Sequence, residues 1–498
     1  MLATFRSHTR TFQLMYIVQV CNGFAYYGMF GLLTVYLVKG MNFAEADSFG
    51  VVGAYVALGY TLLTLGGFLA DKVFGSKRGL YLGLFFRALG FISLGVAAWM
   101  QLEWLTYIAL TCTSVGGGLA NTSPGSLIAR SYKSGDKRVD GAFTLFYHGN
   151  NLGSFSARML FPIIAAAVSW GFAFAFAGFA LCIAIVVLFF LKGWIKDVGS
   201  PADFRPISTP LYLGIVAGSI ALIFIAAWLL NNIVITQWLM AVIGTLAAIY
   251  FIWEMMKEKG GQRTRMAVAL VLLFESMLFF VIYNQMYTSM TFFSINNVQP
   301  NVAGIPINPI SFPALNPLWI IIVSPLLAGL YNRLGKQGRD PSIAIKFSIG
   351  MLFSCAAFSI MSLGSCFADE TGMISSWWLV LAHLLQAVAE LLVSALGLSV
   401  LAQLLPKRLT GFAIGAQAMT ISAASIIGSK LAGFTATPKG EVNPLETLPV
   451  YGQYFMYLAV AVGIVGVIML LVAPRLTRMI EGSEEKEDKG TEDQAVTA

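Results

Sequence analysis

The chain has 498 residues, 57% of them hydrophobic and 11% charged, with a mean hydropathy of +0.76; this excludes a soluble globular protein and points to a polytopic membrane protein. The net charge of +7 is the Lys/Arg excess expected of cytoplasmic loops, and that reading takes precedence over nucleic-acid binding. Five scattered cysteines and three histidines supply no disulfide framework or metal-ligand spacing. With no Ser/His/Asp elbow and no phosphate-cradling loop, neither an enzyme nor a cofactor or metal site is expected.

Met1 to Arg10 is short and polar without a cleavage site, so the first apolar run reads as a retained span. Apolar windows of about 20 residues lie near 14 to 38, 51 to 70, 79 to 99, 104 to 128, 141 to 166, 169 to 191, 211 to 230, 236 to 256, 266 to 292, 315 to 332, 344 to 367, 376 to 400, 410 to 434 and 448 to 474. This predicts an all-α integral membrane protein of 14 transmembrane helices. Even parity puts both termini on one side. Nearly all loop Lys and Arg fall on that side, and the opposite loops hold only Lys39 and Lys439, so both termini are expected in the cytoplasm.

The loops contain a repeat. Gly67-Phe-Leu-Ala-Asp71 followed by Gly75-Ser-Lys-Arg78 closes the second span, and Gly329-Leu-Tyr-Asn332-Arg-Leu-Gly335-Lys336 closes the tenth. If two spans are set aside, the tenth becomes the second span of a later half, which gives a six, two, six plan. The corresponding domains are residues 1–200, an inserted helix pair with linkers at 201–265, a second bundle at 266–478 and an acidic tail at 479–498 that reads as disordered and solvated. The inserted pair carries no charge within its apolar runs before Glu254 and is expected to be peripheral.

Polar groups inside the spans are the remaining candidates for chemistry. Glu390 stands near the middle of an apolar run, where a charge costs several kcal/mol and normally faces a protein interior or a water-filled cavity. His383, Gln386, Glu390 and Ser394 share one helix face, so this stripe is either a helix–helix hydrogen-bond seam or a cavity wall. Gln19, Asn22, Tyr26 and Tyr27 in the first span, Tyr60 in the second, Asn121 in the fourth, Tyr147, His148, Asn150 and Asn151 in the fifth, Glu275, Tyr283, Asn284 and Gln285 in the ninth, and Asn316 before Pro317 favour a cavity as a group. Any single tyrosine among them reads equally well as an interfacial belt residue.

The Gly67 to Arg78 pattern resembles the cytoplasmic signature of the major facilitator superfamily. Phe143-Thr-Leu-Phe-Tyr147-His-Gly-Asn-Asn151-Leu-Gly153-Ser154-Phe155 resembles the fifth-helix motif of the proton-dependent oligopeptide transporter family, and Glu390-Leu-Leu-Val-Ser394-Ala-Leu-Gly397 its tenth-helix motif. Ala314-Leu-Asn316-Pro317 also fits, and Met290 to Asn297, Asn316 to Gly335 and Asn443 to Tyr451 resemble the enterobacterial di- and tripeptide permeases. The resemblance implies a major facilitator fold whose halves rock about a site near the midplane. It also implies a monomer in the bacterial inner membrane with small peptides as substrates and the proton as coupling ion.

On the same resemblance, Tyr27, Tyr60, Tyr147, Asn151, Tyr283, Asn316, Glu390 and Ser394 bind substrate, with Glu390 and Asn316 receiving the peptide amino group. Glu390, Glu275 and His148 are the coupling candidates, and Gly67, Asp71, Gly75 and Arg78 form the gating motif. The chain also departs from the family. Where the family reads E-x-x-E-R-F, this chain has Gln19-Val-Cys-Asn22-Gly23-Phe24; Asn121 replaces the fourth-helix lysine and Gln417 the eleventh-helix tryptophan. The missing Arg and Lys are the groups that hold the peptide carboxylate and take part in proton coupling. Arg158 and Lys430, ahead of Arg87, are the expected compensating cations. The expectation is therefore a transporter of di- or tripeptides or peptide-like compounds that requires an amine and tolerates the loss of a carboxylate; the alternatives are an exporter or uncoupled facilitator of a peptide-like natural product, or a non-transporting sensor.

Overall fold

The computed structural model describes residues 2–496 apart from Ser134, Lys137 and Glu441; of 2–4, 395–400, Ala402, Lys407, Thr410, Gly411 and 480–496 only the backbone is described. The sequence expectation of a solvated acidic tail at 479–498 falls almost entirely outside the described side chains. Apart from a two-stranded ribbon, Asn301–Val302 with Ile305–Pro306, and one isolated bridge, the described residues are helices and their connections. The long helices are α1 (Arg10–Val35), α2 (Glu45–Phe68), α3 (Ser76–Met100), α4 (Glu103–Ala120), α5 (Arg138–Ala167), α6 (Trp170–Phe190), α7 (Thr209–Asn231), α8 (Ile233–Lys257), α9 (Gly260–Tyr283), α10 (Leu315–Lys336), α11 (Ile343–Gly364), α12 (Ser376–Leu404), α13 (Thr410–Ala432) and α14 (Pro444–Val496).

Twelve helices among the described residues are long and apolar enough to cross a membrane. The other two predicted spans form helices as well, but α4 carries Glu103, Thr106, Thr111, Thr113, Ser114 and three glycines within its 18 residues and α5 carries Asp140, His148, Asn150, Asn151 and Arg158, which lower their hydropathy. A helix that turns polar groups towards a protein interior loses the apolar signature by which spans are recognised.

By contacts the chain divides into two compact units, one of residues 1–237 with 307–321 and the other of 238–306 with 322–498. The division runs through the inserted pair. In the first unit Ile223 of α7 joins Leu62, Phe86, Cys112, Val115 and Leu119 in a buried cluster, and the Thr111 hydroxyl donates to the Ile223 carbonyl at 3.0 Å. In the second unit α8 is tied down at its C-terminal end, where Glu254 accepts from Lys257 at 2.7 Å and from Arg408. Elsewhere the pair exposes Phe224, Ile225, Trp228, Trp238, Leu246, Ile249 and Trp253, the apolar surface a lipid-facing element needs.

In the first unit, α3 and α4 cross at glycines. A methyl on Gly83 would lie 2.5 Å from the Gly116 carbonyl oxygen, and one on Gly116 2.5 Å from that of Gly83. Only small residues allow backbones this close, and in a membrane such packing takes the place of a hydrophobic driving force. The same Cβ on Gly116 would meet the Arg87 amide nitrogen at 2.6 Å. The glycine crossing therefore sets where Arg87 stands.

The Gly67 to Arg78 segment ties the end of the second span to its neighbours. Asp71 accepts from Arg130 at 2.9 Å. Gly75 has φ +100°, a conformation costly for any residue with a Cβ. Asp203 then caps α3 from outside, its Oδ1 accepting from the Lys77 amide at 2.9 Å and its Oδ2 from the Ser200 amide at 2.8 Å. Arg78 donates to the carbonyls of Phe74, Ala202 and Arg205. A Cβ on Gly75 would collide with Asp203 Oδ1, so Gly75→Ala is expected to destabilise the protein by ~1–3 kcal/mol, the cost of one strained backbone position. A lowered thermal midpoint in detergent reports it, and an unchanged one would show that the 200–205 loop does not dock here. Two other loops are anchored by depressed carboxyls: the Arg138 side chain holds Asp136 at about 2, and the Thr371 hydroxyl with the Met373 amide holds Asp369 at about 2.

Candidate functional site

Five helices of the first unit wall a polar cavity of about 280 Å³, near the lower end of the roughly 300–1,000 Å³ common for small-molecule sites. Gln19, Asn22, Gly23, Tyr26 and Tyr27 come from α1, Tyr55 and Tyr60 from α2, Arg87 from α3, Thr113 and Ser114 from α4 with Asn121 just after it, and Asn150 from α5. Four of the five departures from the family pattern, Gln19, Asn22, Gly23 and Asn121, thus converge on one place, and Gln417 does not join them.

Arg87 organises it. The side chain is 2% exposed, and its Nη1 donates to Asn22 Oδ1 at 2.7 Å and to Asn121 Oδ1 at 2.6 Å. Asn22 Nδ2 donates in turn to Asn121 Oδ1 at 3.2 Å, and Gln19 Nε2 to Asn150 Oδ1 at 2.9 Å. The guanidinium carbon lies 5.3 Å from the Tyr26 ring centroid, within cation–π range. Its Nε is buried and makes no hydrogen bond among the described residues. Sequence reasoning ranked Arg87 last of the three stray cations, each of which reads equally well as one that snorkels or pairs structurally. Tyr55, Thr113 and Ser114 were missed altogether, and a charge three turns into a hydrophobic helix was the only signal for them.

The other two cations do not join this cavity's lining. Arg158, 3% exposed, donates to the Pro313 carbonyl at 2.9 Å and sits 4.8 Å from the Tyr27 ring, so it anchors the segment leading to Asn316 and backs the cavity wall from behind. Lys430 is exposed in the last turn of α13. Tyr147 is exposed and Asn151 bonds the Tyr147 carbonyl one turn back in its own helix at 3.0 Å; neither lines the cavity, whereas neighbouring Asn150 does. His148 is half-buried and Asn316 fully buried.

In the second unit Glu275 on α9 is 1% exposed, with neither carboxyl oxygen hydrogen-bonded among the described residues. The α12 stripe divides. His383 and Gln386 are buried, Gln386 donating to Met290 Sδ at 3.3 Å, while Glu390 and Ser394 remain partly accessible. Gln285 is a seam residue: its amide donates to the Val281 and Gly428 carbonyls and accepts from Ser289 and Tyr454, which leaves nothing to offer a ligand. Tyr283 faces Tyr287 with hydroxyls 3.5 Å apart, and Gln417 donates to Ser276 at 3.3 Å. No group of three or more His, Cys, Asp or Glu able to hold a metal occurs among the described residues.

The model of the POT family matches residues 51–451. Dipeptide and tripeptide permease A of Citrobacter koseri is 40% identical over 477 residues, which cover 96% of this chain and 94% of the permease. Among solved structures, tetrameric PepTSo2 superposes with a TM-score of 0.82 at 27% identity, covering 94% of this chain and 98% of that one. A structure described as giving insight into substrate recognition in proton dependent oligopeptide transporters does so at 0.82 and 28%, covering 94% and 99%. These likenesses carry the major facilitator fold that the sequence motifs imply.

Proposed function

Since the chain belongs to the POT family, we propose that it is a secondary transporter of di- and tripeptides or peptide-like compounds, working by alternating access in the bacterial inner membrane. The observation that carries this reading is the polar cavity walled by α1 to α5, a lining of amides, hydroxyls and one guanidinium inside helices whose outer surfaces are apolar. Buried polar groups cost free energy unless they are satisfied, by neighbours or by a ligand. A peptide offers amide, ammonium and carboxylate groups to such a lining. The permease it resembles is named for dipeptides and tripeptides, which supports that substrate class.

In this reading fourteen helices cross the membrane in a six, two, six order with both ends in the cytoplasm, and α4 and α5 are spans despite their polarity. One chain is the transport unit, although a relative has been seen as a tetramer. The protein is not an enzyme. The proton is the coupling ion, carried in the second unit by Glu275 or Glu390, because the first unit's cavity is lined by no carboxylate or histidine among the described residues. Arg158, placed against Pro313, is a positioning residue for Asn316.

The test is counterflow of a labelled dipeptide in proteoliposomes, with and without an imposed pH gradient. Exchange in both conditions, and accumulation only with the gradient, is the expected result. Absence of dipeptide counterflow would overturn the peptide reading.

A further inference from the structure

The cavity in the first unit holds a charge with no opposite charge among the described residues of its lining. Arg87 stays protonated at any pH a protein survives. Every side-chain hydrogen bond described for it goes to the neutral amides of Asn22 and Asn121. The ionisable groups that share the described lining are Tyr26, Tyr27, Tyr55 and Tyr60, which ordinarily titrate near ~10 and are neutral around pH 7. Thr113 and Ser114 from α4 and Asn150 from α5 bring no charge either. A buried cation whose neighbours are all neutral is strongly penalised unless an anion comes to it. The buried Nε without a hydrogen bond is a further donor an anion can use.

We propose that Arg87, fixed between Asn22 and Asn121, is the centre of a fixed-charge anion site that takes a carboxylate or a small monovalent inorganic anion, and that its affinity does not depend on pH. The peptide's own carboxyl group is one source of that anion, and this part rests on the transport reading above. Chloride is the other. The sequence expectation of a pocket indifferent to the carboxylate counted Gly23 and Asn121 as neutral and ranked last the guanidinium that reaches Asn121 from α3. Since the described lining holds no histidine or carboxylate, the groups that change charge between about pH 5.5 and 8 or below, the site recognises negative charge without taking up or releasing a proton. Coupling is thereby left to the other unit.

The experiment uses the full-length protein in nanodiscs of zwitterionic lipid. Binding is followed by thermal shift for chloride against gluconate, and for Ala-Ala against Ala-Ala amide, at several pH values in that range. Chloride is expected to raise the unfolding temperature and to compete with the acid but not with the amide. The acid is expected to bind about 10-fold or more tightly than the amide, the size of one charge-assisted hydrogen bond, with the ratio flat in pH. Arg87→Gln should remove both effects and Arg87→Lys should restore part of them. If Arg87→Gln fails to fold, Asn121→Asp decides, because it supplies an internal counter-charge beside Arg87 and should remove chloride binding and the acid preference alike.

Chloride binding that depends on Arg87 without any peptide binding would uphold the anion site and overturn the peptide reading. Acid preference without a chloride effect would uphold the site with the substrate as its source of anion. If neither the chloride shift nor the acid preference exists, if either survives both Arg87→Gln and Asn121→Asp, or if the preference follows a titration, the proposal falls.

Discussion

Glu275→Gln is expected to leave dipeptide counterflow intact and to abolish accumulation driven by a pH gradient. Glu275 is 1% exposed on α9 and neither of its oxygens is hydrogen-bonded among the described residues. An ionised carboxylate in that position would cost several kcal/mol, so in this conformation the group carries its proton and can release it only when water or a partner reaches it. Glutamine copies the shape and the neutral state but has no proton to give. Folding should therefore be unaffected, since no hydrogen bond is lost. One proton per substrate delivers 1.36 kcal/mol for each pH unit, or about tenfold accumulation, and that factor is what the variant should lose. Proteoliposomes with a one-unit gradient, read for accumulation and for counterflow in the same preparation, check it. Persistent accumulation would move the coupling site to Glu390 or His148.

The division of this molecule into what its sequence discloses and what it conceals follows the range of the interactions involved. Span positions are local sums of apolar residues, and all fourteen windows start within a few residues of the start of an observed helix. The motif of Asp71 and Gly75 was visible for the same reason, being a local pattern at a helix end, whereas Arg130 as the partner of Asp71 and the positive φ of Gly75 were not. The cavity was half legible. Gln19, Asn22, Tyr27, Tyr60 and Asn121 declared themselves as polar residues in apolar spans, whereas which of them touch depends on the depth at which α3 crosses α4. That depth is fixed by Gly83 and Gly116, two glycines among 49, and nothing in the chain marks them as a pair. Arg87 therefore read as a stray charge and turned out to sit at the centre of the network. The opposite happened with Gln285, whose polarity suggested a ligand contact while its four partners, spread over α9, the short helix Ser289–Asn297, α13 and α14, make it a knot within the second unit.

Glu390→Gln is expected to weaken binding of peptides with a free amino group by roughly 10- to 100-fold, the equivalent of one lost charge-assisted contact of about 1.5 to 3 kcal/mol. The structure narrows the α12 stripe to this residue. Ala389, Leu392 and Val393 pack on Gly350 of α11, where a Cβ would meet Val393 Cγ2 at 2.6 Å, and Glu390 lies roughly 100° around the helix from that contact. His383 at 1% and Gln386 at 3% exposure are closed off, whereas Glu390 and Ser394 are partly accessible. A partly accessible carboxylate loses less hydration on binding an ammonium than a buried one, which makes the contact favourable on balance. The measurement is inhibition of transport by Ala-Ala and by its N-acetyl form. The variant should lose affinity for the free amine alone, and the acetylated peptide, having no charge to offer Glu390, should bind wild type and variant equally. If both ligands weaken together, Glu390 holds the helix and not the amine; if neither does, the ammonium is received elsewhere, with buried Asn316 the next residue to replace.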